Sequence, residues 1–129
     1  AGVIRTETLE EMFDVAALLA HQPIPKGKRV AILTNAGGPG ILAADACEAD
    51  GLELPVLSEA TRAELRRFLP PAASVTNPVD MLASAPAEHF ARALAIILKD
   101  ENVDSVLTIF IPPLVTEPDA VAAAIAGRG

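Results

Sequence analysis

The chain has 129 residues, half of them apolar, enough for one domain built around one core. Its net charge of −7 argues against nucleic acid or an anionic membrane as partner, since both require a basic face, and the absence of Trp and Tyr removes base-stacking platforms. A single cysteine, Cys47, permits no internal disulfide and fits a reducing, cytoplasmic compartment. The longest apolar runs, such as 105–115, are interrupted well short of a membrane span, and no signal-peptide pattern opens the chain.

The pattern opens with a helix. Thr8 is placed as its N-cap, Glu10 and Glu11 complement the first turn, and Leu9, Met12, Phe13, Ala16 and Leu19 recur at helical spacing. Gln22–Lys28 is a Pro/Gly linker that ends it. Arg29–Thr34 ("RVAILT") is a short run with β-branched residues and reads as the central strand of a sheet. Pro39–Ala49 reads as the following helix, with Gly51 in the left-handed position past its end. Leu52–Leu57 is expected as a short second strand. Ser58 or Thr61 then caps a helix whose apolar face is Leu65, Phe68 and Leu69, Thr61–Glu64 having capping-box spacing.

Residues 70–86 form a turn-rich loop with room for a very short strand at Ser74–Val75. Ser84 is expected to cap a helix with Pro86 in its first turn, running through Phe90, Leu94 and Ile97 to Lys99. Asp104–Ile111 is the second strong strand, apolar enough to be buried on both faces, and Pro112–Pro113 ends it. A last helix starts at Thr116 and centres on Ala120–Ala126. Strands alternating with crossover helices give a parallel, three-layer α/β sheet. Such folds add at least one more strand, so the chain is expected to be cut from a longer multidomain protein, with 1–22 as a lead-in helix and 23–129 as the domain proper.

One stretch carries a chemical signal. "TNAGGPGILA" (34–43) sits where a strand delivers the chain to a helix, and Gly38-Pro39-Gly40-Ile41-Leu42-Ala43 satisfies the dinucleotide pattern G-x-G-x-x-A, with Glu59 at the distance of a ribose-binding acid. Pro39 removes an N–H that a pyrophosphate would use, and Glu59 falls in a helix start, both of which weaken that reading. No G-x-x-x-x-G-K-[ST] loop is present. Three readings stay open: glycines that only make a tight turn, an anion site on converging backbone N–H groups of Asn35–Gly40, and a dinucleotide site.

The second polar cluster is Thr76-Asn77-Pro78-Val79-Asp80, expected after the short third strand on the same sheet edge, unless Asn77-Pro78 is merely a turn. His21 complements the end of the first helix, and His89 reads as solvated beside Glu88 and Arg92. Neither has neighbours at ligand spacing, so no metal site is expected. Cys47 reads as a small core residue, and Glu48, Asp50 and Glu53 as a solvated face. No nucleophile–base pair stands out, and no catalytic residue is assigned.

The stretch from Val30 to Leu82 resembles the NDP-forming acyl-CoA synthetases, relatives of succinyl-CoA synthetase. The matching part is their flavodoxin-like ligase domain, with a T-N-[AG]-G-G-x-G turn at Thr34–Gly40 and an N-P-x-D segment at Asn77–Asp80. The leading helix and "FIPP" (110–113) fit as well. The resemblance implies a reversible reaction, acyl-CoA with phosphate and ADP giving acid, CoA and ATP, that passes through a phosphorylated histidine. Asn35, Ala36, Gly37, Gly38 and Gly40 would supply a helix N-terminus to that phosphohistidine. Thr76, Asn77 and Asp80 would lie near it, shaping the loop or contacting the acyl or phosphate end.

The family's histidine lies in an S-H-T-G type segment that this sequence does not contain, and neither His21 nor His89 has that context. The chain is therefore expected to be inert alone and to bind no cofactor by itself. CoA, ADP/ATP and Mg would act in the full protein, through CoA-binding, phosphohistidine-bearing and ATP-grasp domains as partners. Two alternatives remain: a regulatory synthetase-like module of a protein lysine acetyltransferase, and a dinucleotide-binding domain.

Overall fold

The computed structural model describes residues 3–113 and 117–127. In chain order the elements are α1 (Leu9–His21), β1 (Val30–Thr34), α2 (Gly37–Ala49), α3 (Glu59–Arg66), β2 (Val79–Asp80), α4 (Ala87–Ile97), β3 (Ser105–Ile109) and α5 (Pro118–Ala126). The strands form one parallel sheet in the order β2-β1-β3.

β1 is buried along its whole length, and its alternation divides the core. Ala31 and Leu33 join a cluster with Leu65 of α3, Phe90, Ala93, Leu94 and Ile97 of α4, and Val121 of α5. Val30 and Ile32 face the other way, onto Cys47, Ala43 and Ala44 of α2. Successive side chains of a strand point to opposite faces, so α2 covers one side of the sheet and α3, α4 and α5 the other. This is the three-layer α/β arrangement expected. Phe90 meets Phe110 edge-to-face, ring centroids 5.4 Å apart. Burying a residue of this size contributes roughly 1.5–3 kcal/mol, so stability resides in β1 and the helices on it. α1 has no buried residue and shares none of that. Thr8 caps it through a full capping box with Glu11, and His21 Nδ1 lies 2.9 Å from the Ala17 carbonyl in its last turn.

Several expectations are corrected. Leu52–Leu57 is no strand: only Glu53 pairs, with Arg29 and its neighbours, because Pro55 has no N–H and the next positions along β1 are taken by a side chain. The Asn77 amide donates to the carbonyls of Val30 (2.9 Å) and Pro55 (3.2 Å), and its oxygen accepts from Ile32 N–H at 2.9 Å. β2 then pairs with Leu33 and Thr34. One flank of β1 is thus completed in turn by Glu53, by the Asn77 carboxamide and by β2. The third strand is Val79–Asp80 rather than Ser74–Val75, with Ser74 only bridging Asp80 in antiparallel sense. Ser58, not Thr61, caps α3: its hydroxyl accepts from Thr61 N–H at 3.2 Å. Ser84 caps nothing. Ala85 N–H closes a turn onto Leu82 and Pro86 takes the cap position, without a side-chain bond, so the helix starts at Ala87. β3 is half-buried rather than enclosed, with Leu107 41% exposed, because no described strand lies beyond it. The expected helix start at Thr116 lies outside the described residues; α5 begins at Pro118 after Glu117.

Candidate functional site

β1 ends at Thr34 and the chain turns directly into α2. The Thr34 hydroxyl bridges this turn, accepting Ala36 N–H at 3.0 Å and donating to the Ala36 carbonyl at 3.2 Å. Ala36 is the N-cap and offers no side-chain acceptor, unlike Thr8 and Ser58 on α1 and α3. Gly37 and Gly38 are the first two helical residues. Pro39 has no N–H, and Gly40 N–H is committed to the Ala36 carbonyl at 3.1 Å. Among the described residues nothing accepts the N–H of Gly37 or Gly38. Of the five residues expected to offer donors here, Gly37 and Gly38 keep open N–H groups among the described residues, at the positive end of a 13-residue helix.

The three glycines differ in what surrounds them. A Cβ on Gly40 would stand 3.0 Å from Thr34 Cγ2 and 3.6 Å from Pro78, so Gly40 lets α2 approach the sheet. A Cβ on Gly37 would stand 2.9 Å from Asp80 Oδ2. Around Gly38 there is nothing within 4 Å. Asp80 ends β2 beside Thr34, and its Oδ1 accepts Leu82 N–H at 2.9 Å, in a turn where Leu82 has φ 71°. The structure thus gathers Ala36, Gly37, Gly38, Gly40 and Asp80 at one point on the carboxyl edge of the sheet.

The other expected site residues are elsewhere or otherwise engaged. The buried Asn35 side chain makes a reciprocal pair with Ile111, donating to its carbonyl and accepting from its N–H, each at 2.9 Å. It ties the end of β1 to the segment after β3. Asn77 precedes β2 rather than following a strand, and its amide is consumed by β1 as described. Thr76 is exposed and its hydroxyl pairs with Ser74 at 3.0 Å. Glu59 lies at the start of α3, on the amino edge, and is ion-paired to Arg62 (2.7 Å) and Arg66 (3.1 Å). It cannot reach a ligand at the glycine turn. Cys47 is buried against β1. His89 is half-buried rather than solvated, packed edge-on against Phe68 at 5.2 Å, with Arg92 stacked over the same ring.

A second polar cluster, on the amino edge, escaped the sequence reading. Arg29 and Asp104 precede β1 and β3 and form a two-point ion pair, Nε to Oδ2 at 2.9 Å and a second guanidinium nitrogen to Oδ1 at 2.8 Å. The guanidinium bond to Asp104 holds that carboxyl down from 3.8 to about 2. Nearby, buried Asp100 accepts the N–H groups of Ser58 and Asn102 at 2.8 and 3.0 Å. Burial pushes its pKa upward, but these bonds outweigh it and leave it lowered. The available signal was opposite charges directly before the two strong strands, which a parallel register sets side by side. Among the described residues no three His, Cys, Asp or Glu side chains gather as a metal site. No described helix is long and apolar enough to cross a membrane.

An open parallel sheet with a glycine-started helix at the carboxyl end of its central strand and helices on both faces defines a three-layer α/β domain. The Ligase-CoA domain family matches residues 30–128, and the chain belongs to that family. The chain is 50% identical over 113 residues to the alpha subunit of acetate–CoA ligase [ADP-forming] II of Pyrococcus furiosus, covering 88% of this chain and 24% of the relative. It is 48% identical to acetate–CoA ligase [ADP-forming] I of Archaeoglobus fulgidus, covering 87% and 16%. It superposes on the apo acetyl-coenzyme A synthetase 1 of Ca. Korarchaeum cryptofilum with a TM-score of 0.90 at 32% identity, over 98% of this chain and 28% of that one. That synthetase is also solved with phosphate and ADP. The chain thus spans a quarter or less of the length of these curated relatives.

Proposed function

We propose that this chain is one domain of an NDP-forming acyl-CoA synthetase and that the N-terminus of α2 stabilises the phosphohistidine of its phosphoryl relay. The observation that carries this is Gly38. Glycine loses more backbone freedom on folding than alanine, and here neither a positive φ nor a close neighbour requires it. A position kept bare against local stability, beside two unused N–H groups, fits a group that must come within hydrogen-bond distance of the backbone. Family membership supports a phosphoryl group as that visitor, since relatives of the chain are ADP-forming CoA ligases.

In this reading α2 supplies aligned N–H dipoles rather than a side-chain cation, a stabilisation set up before charge arrives. Residues 1–22 lead into the domain at 23–129. The histidine, CoA, ADP/ATP and Mg belong to the other domains of the enzyme, so the chain alone turns nothing over. The segment Thr76–Asp80 shapes the site: Asn77 fixes β1, and Asp80 borders the helix start.

Gly38→Asp in the full-length enzyme tests this. The side chain has open space, and a carboxylate in the first helical turn favours the dipole, so melting temperature should hold or rise. Histidine phosphorylation from acyl phosphate should be lost. A variant that phosphorylates and turns over normally would refute the role.

A further inference from the structure

α1 has the pattern of a packed helix and buries nothing. Leu9, Met12, Ala16 and Leu19 recur at three- and four-residue spacing, Phe13 and Ala20 widen the stripe, and Glu10, Glu11 and Asp14 take the other side. Yet none of its residues is buried, and Leu9 and Phe13 are 71% and 66% exposed. Its capping box and the contact of His21 with Ala17 lie within the segment, as does the ion pair of Arg5 with Glu7 at 3.4 Å. Propensity alone does not carry such a helix. Thirteen residues fall at the length where an isolated helix is marginal in water, and most helical stability comes from burying an apolar face. We propose that the stripe centred on Met12, Phe13 and Ala16 is buried in the full-length protein against another domain of the same polypeptide, in an apolar groove with a basic rim. The inference rests on the reading of this chain as one domain of a longer synthetase, and not on the role of Gly38.

Charge and size select this occupant. An amphipathic helix that lies on an anionic membrane carries Lys and Arg on its polar face, whereas this one carries Glu10, Glu11 and Asp14 there, acids that call for basic side chains around the stripe. A second copy pairing stripe to stripe would bury too little. Thirteen residues make a helix about 20 Å long, well short of the roughly 800 Å² a side of a stable complex. A domain on the same polypeptide needs no such area, because the link between them sets a high effective concentration. That link is short and fixed at its far end. Residues 22–28 span at most about 25 Å, and Gly27 sits so close to the Asp104 carboxylate that it has no room for a side chain. Asp104 is in turn held by Arg29, at the start of β1. The groove that takes α1 is thereby kept within one linker of the amino edge. There is protein enough to supply it, since this chain spans 24% of the Pyrococcus furiosus subunit.

The test uses the full-length protein. Phe13→Cys should react with a maleimide about tenfold more slowly than Asp14→Cys, its neighbour on the acidic side, with buried Cys47 as a slow background. With the photo-cross-linking analogue p-benzoylphenylalanine in place of Phe13, irradiation should join α1 to a peptide of the same polypeptide outside residues 1–129. Equal labelling rates overturn the proposal. So does a cross-link inside residues 23–129, which would mean that α1 folds back on its own domain. A product of twice the mass, the mark of a second copy, or no cross-link at all overturns it as well. In each of these cases, phosphorylation that is lost in Gly38→Asp leaves the reading of the chain as a synthetase domain standing. A native polypeptide no longer than these 129 residues would remove that reading and the proposal together.

Discussion

Gly37, Gly38 and Gly40 lie within one turn of helix and answer to three different constraints: a carboxylate, an unfilled space and a close approach of helix to sheet. Alanine substitutions separate them. Gly38→Ala should raise the unfolding free energy by about 0.5–1 kcal/mol, since it removes backbone freedom and meets nothing. Gly40→Ala should lower it by about 1–3 kcal/mol, because the fully buried Thr34 and the adjacent Pro78 leave the new methyl no direction to move. Urea unfolding of the two variants checks the pair. Opposite signs support the assignment, and a loss of stability in Gly38→Ala would remove the argument that this glycine serves something other than the fold.

At the scale of elements, the central strand depends on a side chain as if it were backbone. Asn77 stands between the single pairing of Glu53 and the two-residue β2, and it satisfies Val30 and Ile32 in the interior. Asn77→Ala would leave a buried N–H and a buried carbonyl unpartnered, each costing about 1–3 kcal/mol, so a loss of at least about 2 kcal/mol is expected by calorimetry. A change within a few tenths would show that water or Pro78 rearrangement replaces the amide. This element also shows where sequence patterns stop being informative. β1, α2 and α4 were legible because apolar periodicity records burial directly. The composite flank of β1 was not, since a carboxamide replacing a peptide leaves no periodic trace and Leu52–Leu57 has the composition of a strand without its pairing. The site was half legible: the order of Thr34–Gly40 announced a strand-to-helix turn, but which N–H groups stay open depended on α2 starting at Gly37 rather than Pro39, a shift within the ordinary uncertainty of a helix end. The side-chain roles of Asn35 and Asn77 depended on partners 76 and 45 to 47 residues away.

Across the whole molecule, the two edges of the sheet divide the labour. The carboxyl edge keeps open donors, while the amino edge is locked by charge: Arg29 joins the starts of β1 and β3 through Asp104, and Asp100 holds the start of α3 through Ser58. This lock has a pH signature. The carboxyl of Asp104 lies at about 2 in the folded chain against an ordinary 3.8, through the Arg29 hydrogen bonds first, and Asp100 is lowered as well. A carboxyl depressed on folding stabilises fully above its unfolded value, and the contribution disappears as pH falls through the folded one. Unfolding free energy should therefore decline between about pH 4 and pH 2 with a slope set by these carboxylates. Asp104→Asn keeps the shape of the side chain but cannot take the ionised form, so its stability should be lower at neutral pH and should fall less steeply over that window. Parallel acid limbs for the wild type and Asp104→Asn, measured by urea unfolding at successive pH values, would place the acid sensitivity elsewhere. The expected divergence would show that the pair on the amino edge keeps β1 and β3 in register, and with them the helix end that β1 delivers to the opposite edge.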